Sequence, residues 1–352
     1  MKKTKYTKPP IESLACVNPE CELYGQKGQD NLYVRQEYGK DRIRYLRCRC
    51  CQEEFSERKN TALWNSKIPE SQAIAVAEHL AEGCSFKGTA RLVKVDPQTV
   101  RRLNRRLGQH GQRYHDQKVQ RVEVNTLQAD ERYGFAGNRQ EPAWEAELID
   151  PHSKFVVAHV QGPRDETLIR RLLTDGAGRL ADRHDIALFT DGLSSYRTLF
   201  PEIFGRAYRP ARQGKRGRLP KIRYRIPRQA AHVQIIKHHQ GRRLTQVEIR
   251  YAHGSIKRIE QALDDLGYSL PNTSTVERRN GTARLMSAAQ VRKALSFSKR
   301  RDTKEALGWW AVTVYNWCRS HRSLRSLLPQ PLGKKSINSV LRRWLLVWQI
   351  QF

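Results

Sequence analysis

Ile186-Ala187-Leu188-Phe189-Thr190-Asp191-Gly192 holds an apolar run that ends on a carboxylate, and Val124-Asn125-Thr126-Leu127-Gln128-Ala129-Asp130 is a strand-like run that also ends on one. Short apolar runs bounded by turn residues read as buried strands, so each segment sets an acid at the rim of a sheet. A third acid, Glu277, lies in Thr275-Val276-Glu277-Arg278-Arg279-Asn280, at the start of a basic helical stretch. Taken singly, an Asp after a strand is an ordinary turn former, and Asp-Gly is a strong turn signal. Taken together, two strand-end carboxylates and one helical carboxylate can hold two divalent cations close together, an arrangement suited to in-line attack on a phosphodiester. Asp130, Asp191 and Glu277 are therefore the candidate catalytic residues, with Mg2+ or Mn2+, two per site, as the expected cofactor.

The charge balance supports that chemistry. The 352 residues carry 65 Lys+Arg against 35 Asp+Glu, a net charge of +30. Solubility needs far less charge than this, whereas a polyanionic partner such as nucleic acid would be strongly attracted. Acids nevertheless crowd residues 123–150 (Glu123, Asp130, Glu131, Glu141, Glu145, Glu147, Asp150) against Arg132 and Arg139 alone. An acidic patch inside so basic a chain is what a metal site facing a polyanion requires. No apolar run approaches the ~20 residues that span a bilayer. The basic start lacks the apolar core of a signal peptide. The expectation is a soluble, intracellular chain with no membrane partner, long enough for two or three domains.

Five of the seven cysteines fall within the first 51 residues. In a reducing compartment such a cluster points to metal before disulfide. Cys16-x4-Cys21 followed by Cys48-x2-Cys51 has the shape of a zinc ribbon, two short loops each presenting a thiolate pair to one structural Zn2+. Between them, 31–35 and 42–46 alternate as two strands around a Glu-Tyr-Gly-Lys-Asp turn. Cys50 competes with Cys51 as the fourth ligand. The x2 spacing lets Cys48 and Cys51 converge, which favours Cys51. Cys84 and Cys318 sit alone in apolar helical contexts, as packing residues do.

Residues 69–110 read as three helices. Ile74, Ala77, Leu80 and Ala81 mark the first, Phe86, Ala90, Leu92 and Val93 the second, and Asp96-Pro97 is a strong start signal for the third. The third would bury Val100, Leu103 and Leu107 and present Gln98, Thr99, Arg101, Arg102, Asn104 and Arg105. Short helix, tight turn and basic helix is the helix-turn-helix plan, in which the last helix enters the major groove of double-stranded DNA. Arg and Asn suit guanine and adenine edges.

From about residue 118 strands and helices alternate. Trp144 to Ile149 and Phe155 to Val160 form a hairpin, 165–182 an amphipathic helix, and a further helix follows Asp191 near 194–199. This order matches a ribonuclease-H-like α/β fold. Residues 206–228 carry ten Lys/Arg and no acid, an inserted arm suited to track DNA backbone through Lys215, Arg216 and Arg218. Beyond it, 233–238 and 246–251 look like a β-hairpin around Gly241. The expected architecture is a multidomain α+β chain: zinc ribbon over 1–62, helix-turn-helix over 63–115, catalytic domain over 116–325 with a basic β-hairpin insertion at about 205–258, and a C-terminal tail over 326–352.

Several stretches carry a family likeness. They are Arg47-Cys48-Arg49-Cys50-Cys51 with Phe55, Ala90-Arg91-Leu92 through Thr99-Val100, Ala129-Asp130-Glu131 and Thr190-Asp191-Gly192. They continue with Asn272-Thr273-Ser274 through Glu277-Arg278-Arg279-Asn280 and Arg284, Leu295-Ser296-Phe297-Ser298-Lys299, and Tyr315-Asn316 through His321-Arg322-Ser323-Leu324. From about residue 14 to 328 the chain resembles bacterial DDE transposases of the insertion-sequence-one family. The segment around Glu277 is the most specific part. The resemblance implies a DNA transposase that binds terminal inverted repeats and carries out metal-dependent 3′-end cleavage and strand transfer. It implies Asp130, Asp191 and Glu277 as metal ligands, and contact with DNA from Arg284 and its motif neighbours Arg278 and Asn280. It further implies a homodimer or larger assembly on DNA, in the cytoplasm with the nucleoid. Glu131 belongs to the motif but alternates to the opposite face of its strand, a structural or supporting position. The tail over 339–352 departs from the family pattern. A zinc-ribbon and helix-turn-helix regulator with a silent α/β half is the alternative from another functional class.

Overall fold

The computed structural model describes residues 8–39, 41–66, 68–211, 219–291, 296–321 and 324. The expectations for Lys215, Arg216, Arg218 and the tail over 326–352 lie outside the described residues.

An antiparallel three-stranded sheet opens the chain, with β1 (Leu32–Tyr38), β2 (Ile43–Cys48) and β3 (Glu54–Ser56) in that order. Its small core is Leu14, Val17, Leu32, Leu46 and Phe55, with cysteines filling the remainder. Buried Arg58 bonds both Asp41 and Glu70, which fastens this sheet to the next helix. Three helices follow: α1 (Glu70–Ala81), α2 (Phe86–Val93) and α3 (Pro97–Lys118). Ser85 caps α2 by accepting the Gly88 N–H at 3.1 Å, and Asp96 caps α3 by accepting the Gln98 N–H at 2.7 Å. Pro97 occupies the first helical position, where its missing N–H costs nothing.

The α/β part contains β4 (Thr126–Arg132), a ribbon of β5 (Phe135–Ala136) and β6 (Asn138–Pro142), β7 (Trp144–Ile149), β8 (Val156–Gly162), α4 (Glu166–Arg179), β9 (Ile186–Thr190) and α5 (Ser194–Phe204). A second ribbon of β10 (Arg206–Tyr208) and β11 (Arg223–Arg225) precedes β12 (Ala230–Gln240), β13 (Arg243–His253), α6 (Ile256–Leu266), α7 (Ser274–Met286) and α8 (Arg301–Trp317). Six strands make one mixed sheet in the order β13-β12-β9-β4-β7-β8. β4, β9 and β12 are parallel, and the other three are antiparallel to their neighbours. β9 is buried throughout, as a central parallel strand must be. Its Ile186 and Leu188 pack with α4 and α5, while Ala187 and Phe189 face α6 on the other side.

Three expectations need correction. Asp130 does not end its strand, because β4 runs on to Arg132 through antiparallel pairing with β7. What ends at Ala129 is the parallel ladder with β9, whose last pair is Ala129 with Thr190. The hairpin at 230–253 is not an insertion: Ala230 to Gln234 pair with β9 and are fully buried, which makes β12 part of the sheet itself.

The third correction concerns α3, expected to belong to a unit of its own over 63–115. It packs along α8, and α1, α3 and α8 share one apolar core including Val76, Leu80, Leu103, Leu107, Trp310 and Val314. Gly108 makes that approach close enough to matter, since a Cβ there would lie 2.3 Å from the Ala306 Cα. Backbone cannot yield as a flexible side chain can, so Gly108→Ala should wedge the helices apart and cost about 1–3 kcal/mol. Urea denaturation of the pair would show it. An unchanged midpoint would mean that α3 and α8 are loosely held.

Candidate metal centres and the carboxylate cavity

The thiols of Cys16, Cys21, Cys48 and Cys51 converge, with all four sulfurs within 4.8 Å of one another. Cys16 to Cys51 is 3.6 Å and Cys21 to Cys48 is 3.9 Å. A tetrahedron of Zn–S bonds about 2.3 Å long has edges of about 3.8 Å, so the cluster fits one structural zinc. Cys50 is exposed and stands outside it. Asn31 donates its side-chain N–H to the Cys48 sulfur at 3.3 Å, an outer contact that orients the ligand. Burial pushes the Cys16 thiol up to about 11. At Cys51 burial is outweighed by the Glu53 N–H and Asn18, which bring it down to about 7. Four adjacent thiols cannot all ionise unaided, and a divalent cation would supply the missing charge.

Removing that ion should unfold the segment, because its core is too small to stand alone. Chelation, or Cys48→Ser, is expected to release one zinc per chain and expose backbone amides of 14–56 to hydrogen exchange. Purified protein that carries no zinc, with amides equally protected before and after chelation, would refute this.

The register explains the second cluster. With Ala129 opposite Thr190, the next residues on these parallel strands are Asp130 and Asp191, side by side at the sheet's rim. Oxygens of Asp130, Glu131 and Asp191 lie within 4.8 Å of one another. Asp130, Asp191 and Glu277 line one cavity of about 350 Å³, with Thr273 and Lys237 also in its wall. Each carboxylate is held. Asp130 accepts the Glu131 N–H at 2.8 Å and the Asn280 side-chain N–H at 2.8 Å. Asp191 accepts the Leu193 N–H at 2.9 Å, with the Arg164 guanidinium 3.6 Å away. Glu277, in the first turn of α7, accepts from the Thr273 hydroxyl at 2.5 Å and ion-pairs with Lys237.

Glu131 is buried outside the cavity wall, where it accepts from the Tyr196 hydroxyl at 2.5 Å and from Arg164 at 3.1 Å, yet it is Glu131 and not Glu277 that completes the tight cluster with the two aspartates. Burial first, and the Asp191 charge second, push Asp130 up to about 6 and Glu131 up to about 7. So much negative charge in a half-buried place suits a divalent cation, and binding one would displace protons. Apparent cation affinity should therefore rise with pH through 6 to 7.

Behind the cavity lies a buried ionic network. Arg132 bonds Glu145 and also Glu147, the latter at 2.7 Å. Arg279 meets Glu147 at 3.0 Å with its guanidinium 4.3 Å from the Tyr315 ring centre, and Lys304 of α8 pairs with Glu145. All five ionic side chains are at most 2% exposed. Burial opposes ionisation of Glu145, but Lys304 and Arg132 overcome it and hold the carboxyl at about 2. Glu147 is likewise held well below the usual range by Arg132 and Arg279. The network pins α7 to β4, β7 and α8, and thereby sets where Glu277 stands.

Two residues expected to touch DNA are engaged inside the protein. Asn280 is buried, donating to Asp130 and accepting from Arg132 at 3.2 Å. Asn104 is 1% exposed and donates to the Thr303 carbonyl of α8 at 3.2 Å. Arg105 is exposed but ion-paired with Asp302 at 3.0 Å. Gln98, Arg101, Arg102 and Arg278 are exposed, Thr99 and Arg284 half-buried. No protein-family model and no curated protein matches the chain.

Arg164, Tyr196 and Lys237 were not singled out from the sequence. Each reaches the acids through tertiary folding from a segment with no motif of its own. In the sequence Arg279 enters only as part of the stretch around Glu277, and Lys304 belongs to no motif.

Proposed function

We propose that this protein is a DNA transposase of the DDE type, cutting the 3′ ends of its element and joining them to target DNA. One observation carries the reading: Asp130 on β4, Asp191 directly after β9 and Glu277 on α7 line a single cavity at the rim of the sheet. The strand order β8-β7-β4-β9-β12, with β7 alone running against the other four, supports a ribonuclease-H-like scaffold. Asp130, Asp191 and Glu277 would hold Mg2+ or Mn2+, which when bound supplies Lewis acidity to the attacking and leaving oxygens. Around them the chain's own groups set the geometry. Asn280 and the Glu131 N–H fix the Asp130 carboxylate, Leu193 N–H and Arg164 fix Asp191, and Thr273 orients Glu277.

The four-cysteine segment, as a zinc ribbon, and α1 to α3, as a helix-turn-helix, would bind the terminal repeats. Gln98, Thr99, Arg101 and Arg102 lie on the accessible start of α3, where a recognition helix meets base edges. Among the described residues no helix is long and apolar enough to cross a membrane. The protein would act as a homodimer or larger assembly on double-stranded DNA.

The test is direct. Purified protein, incubated with a labelled duplex carrying the repeat that borders its gene and with Mg2+ or Mn2+, should nick the 3′ end. Tight repeat binding without any nick under either metal would leave a DNA-binding regulator instead.

A further inference from the structure

β12 does not stop where the sheet stops. Its ladder with β9 ends at Gln234 opposite Thr190, one residue before Asp191. Together with β13 it then continues to Gln240, turns through Gly241 at φ +62°, and returns from Arg243. Because β12 and β9 are parallel, this overhang rises from the same rim that bears the carboxylates. Its root belongs to the cavity, with Ile235, Ile236 and Lys237 in the wall beside Asp130 and Glu277.

Every residue from Lys237 to Val247 is exposed. That stretch holds Lys237, Arg242 and Arg243, with no acid. The first acid on β13, Glu248, is already bonded to Arg250 at 2.9 Å. Six residues of extended chain reach about 20 Å, about the axial length of six phosphates on one strand of a duplex. An edge hairpin that is long, exposed and cationic invites a polyanion, whereas an apolar partner would find only scattered Leu244 and Val247.

We propose that the β12–β13 overhang clamps the DNA backbone beside the cut. Lys237, already at the Glu277 carboxylate, contacts the phosphodiester being cleaved, and Arg242 and Arg243 contact phosphates on the strand leading away. This rests on the nuclease reading for Lys237. The tip contacts stand on DNA binding alone.

Two variants of the full chain test it. Arg242→Gln with Arg243→Gln alters only exposed side chains. Its affinity for a 30-base-pair duplex of arbitrary sequence should lose about 1.8 from the slope of log K against log salt, at about 0.9 per phosphate contact. Lys237→Met should slow single-turnover nicking of a repeat end by about 100-fold or more, a loss beyond the single phosphate contact, about 0.9 in salt slope, that it removes from binding. Lys237→Arg, keeping the charge, should recover most of the rate.

An unchanged salt slope in a variant with parental zinc content and circular dichroism overturns the clamp and leaves the transposase reading standing. Nicking by Lys237→Met at the parental rate overturns the Lys237 contact. A parent that binds duplex and never nicks sinks the transposase reading and the Lys237 contact with it, while the salt slope still decides the tip.

Discussion

Asp130→Asn, Asp191→Asn and Glu277→Gln should each abolish nicking and strand transfer while leaving the fold in place. Each change preserves shape and hydrogen-bonding capacity but removes one charge from a cavity that, on the proposed mechanism, would hold two divalent cations. Asp130 and Asp191 sit side by side because of the strand register, so losing either carboxylate removes one of two groups whose oxygens lie within 4.8 Å of each other. The three losses should not add: a double variant should be no slower than the worse single one, because the residues act as one unit. Duplex binding should persist or tighten, since a carboxylate facing phosphate is repulsive. Glu131→Gln should be milder in cleavage, because its carboxylate is occupied by Tyr196 and Arg164 outside the cavity wall. Single-turnover assays with end-labelled duplex would show this pattern. Brisk Mg2+-dependent nicking by Asp191→Asn would refute the three-acid assignment.

The second large effect is on stability. Glu147→Gln should cost about 3–5 kcal/mol, because it leaves the Arg132 and Arg279 guanidiniums buried without their shared counter-charge. A urea midpoint equal to the parent's would show that the network is not where the stability lies. Its acid limb follows from Glu145, held at about 2 against 4.5 for a free side chain. A depressed carboxyl contributes stability fully above pH 4.5 and loses it as pH falls towards 2. Urea midpoints measured across that window should fall steadily, and a flat profile would count against the ionised network.

Much of this was legible in local sequence. The Trp144 to Ile149 strand is observed over those same residues, because its turn signals flank it closely. The paired cysteine spacing identified the four thiols that converge, and the Asp96-Pro97 start of α3 is where it was expected. Other features depend on partners far along the chain. Asn104 and Asn280 are polar and read as surface, yet their bonding partners stand roughly two hundred and a hundred and fifty residues away. No periodicity reports a polar group satisfied at such a separation. The third helix, expected to end near residue 110, runs on to Lys118, and its Gly108 and Gly111 leave the space that α8 occupies. The run from Ala230 to Ile235 is apolar enough for a central strand. Its basic surroundings instead drew attention to an insertion.

The union of α3 with α8 bears on how such a protein could change its target. A recognition helix on a free-standing module can be exchanged by recombination as a cassette, carrying its preference into a new host. Here the inner side of α3 is moulded to Ala306 and Thr313, and Asn104 and Arg105 are spent on α8. A borrowed α3 would arrive without its other half, about two hundred residues downstream. On the proposed reading, new specificity would be confined to the outward residues at the start of α3, altered one at a time on a scaffold that descends as a single piece.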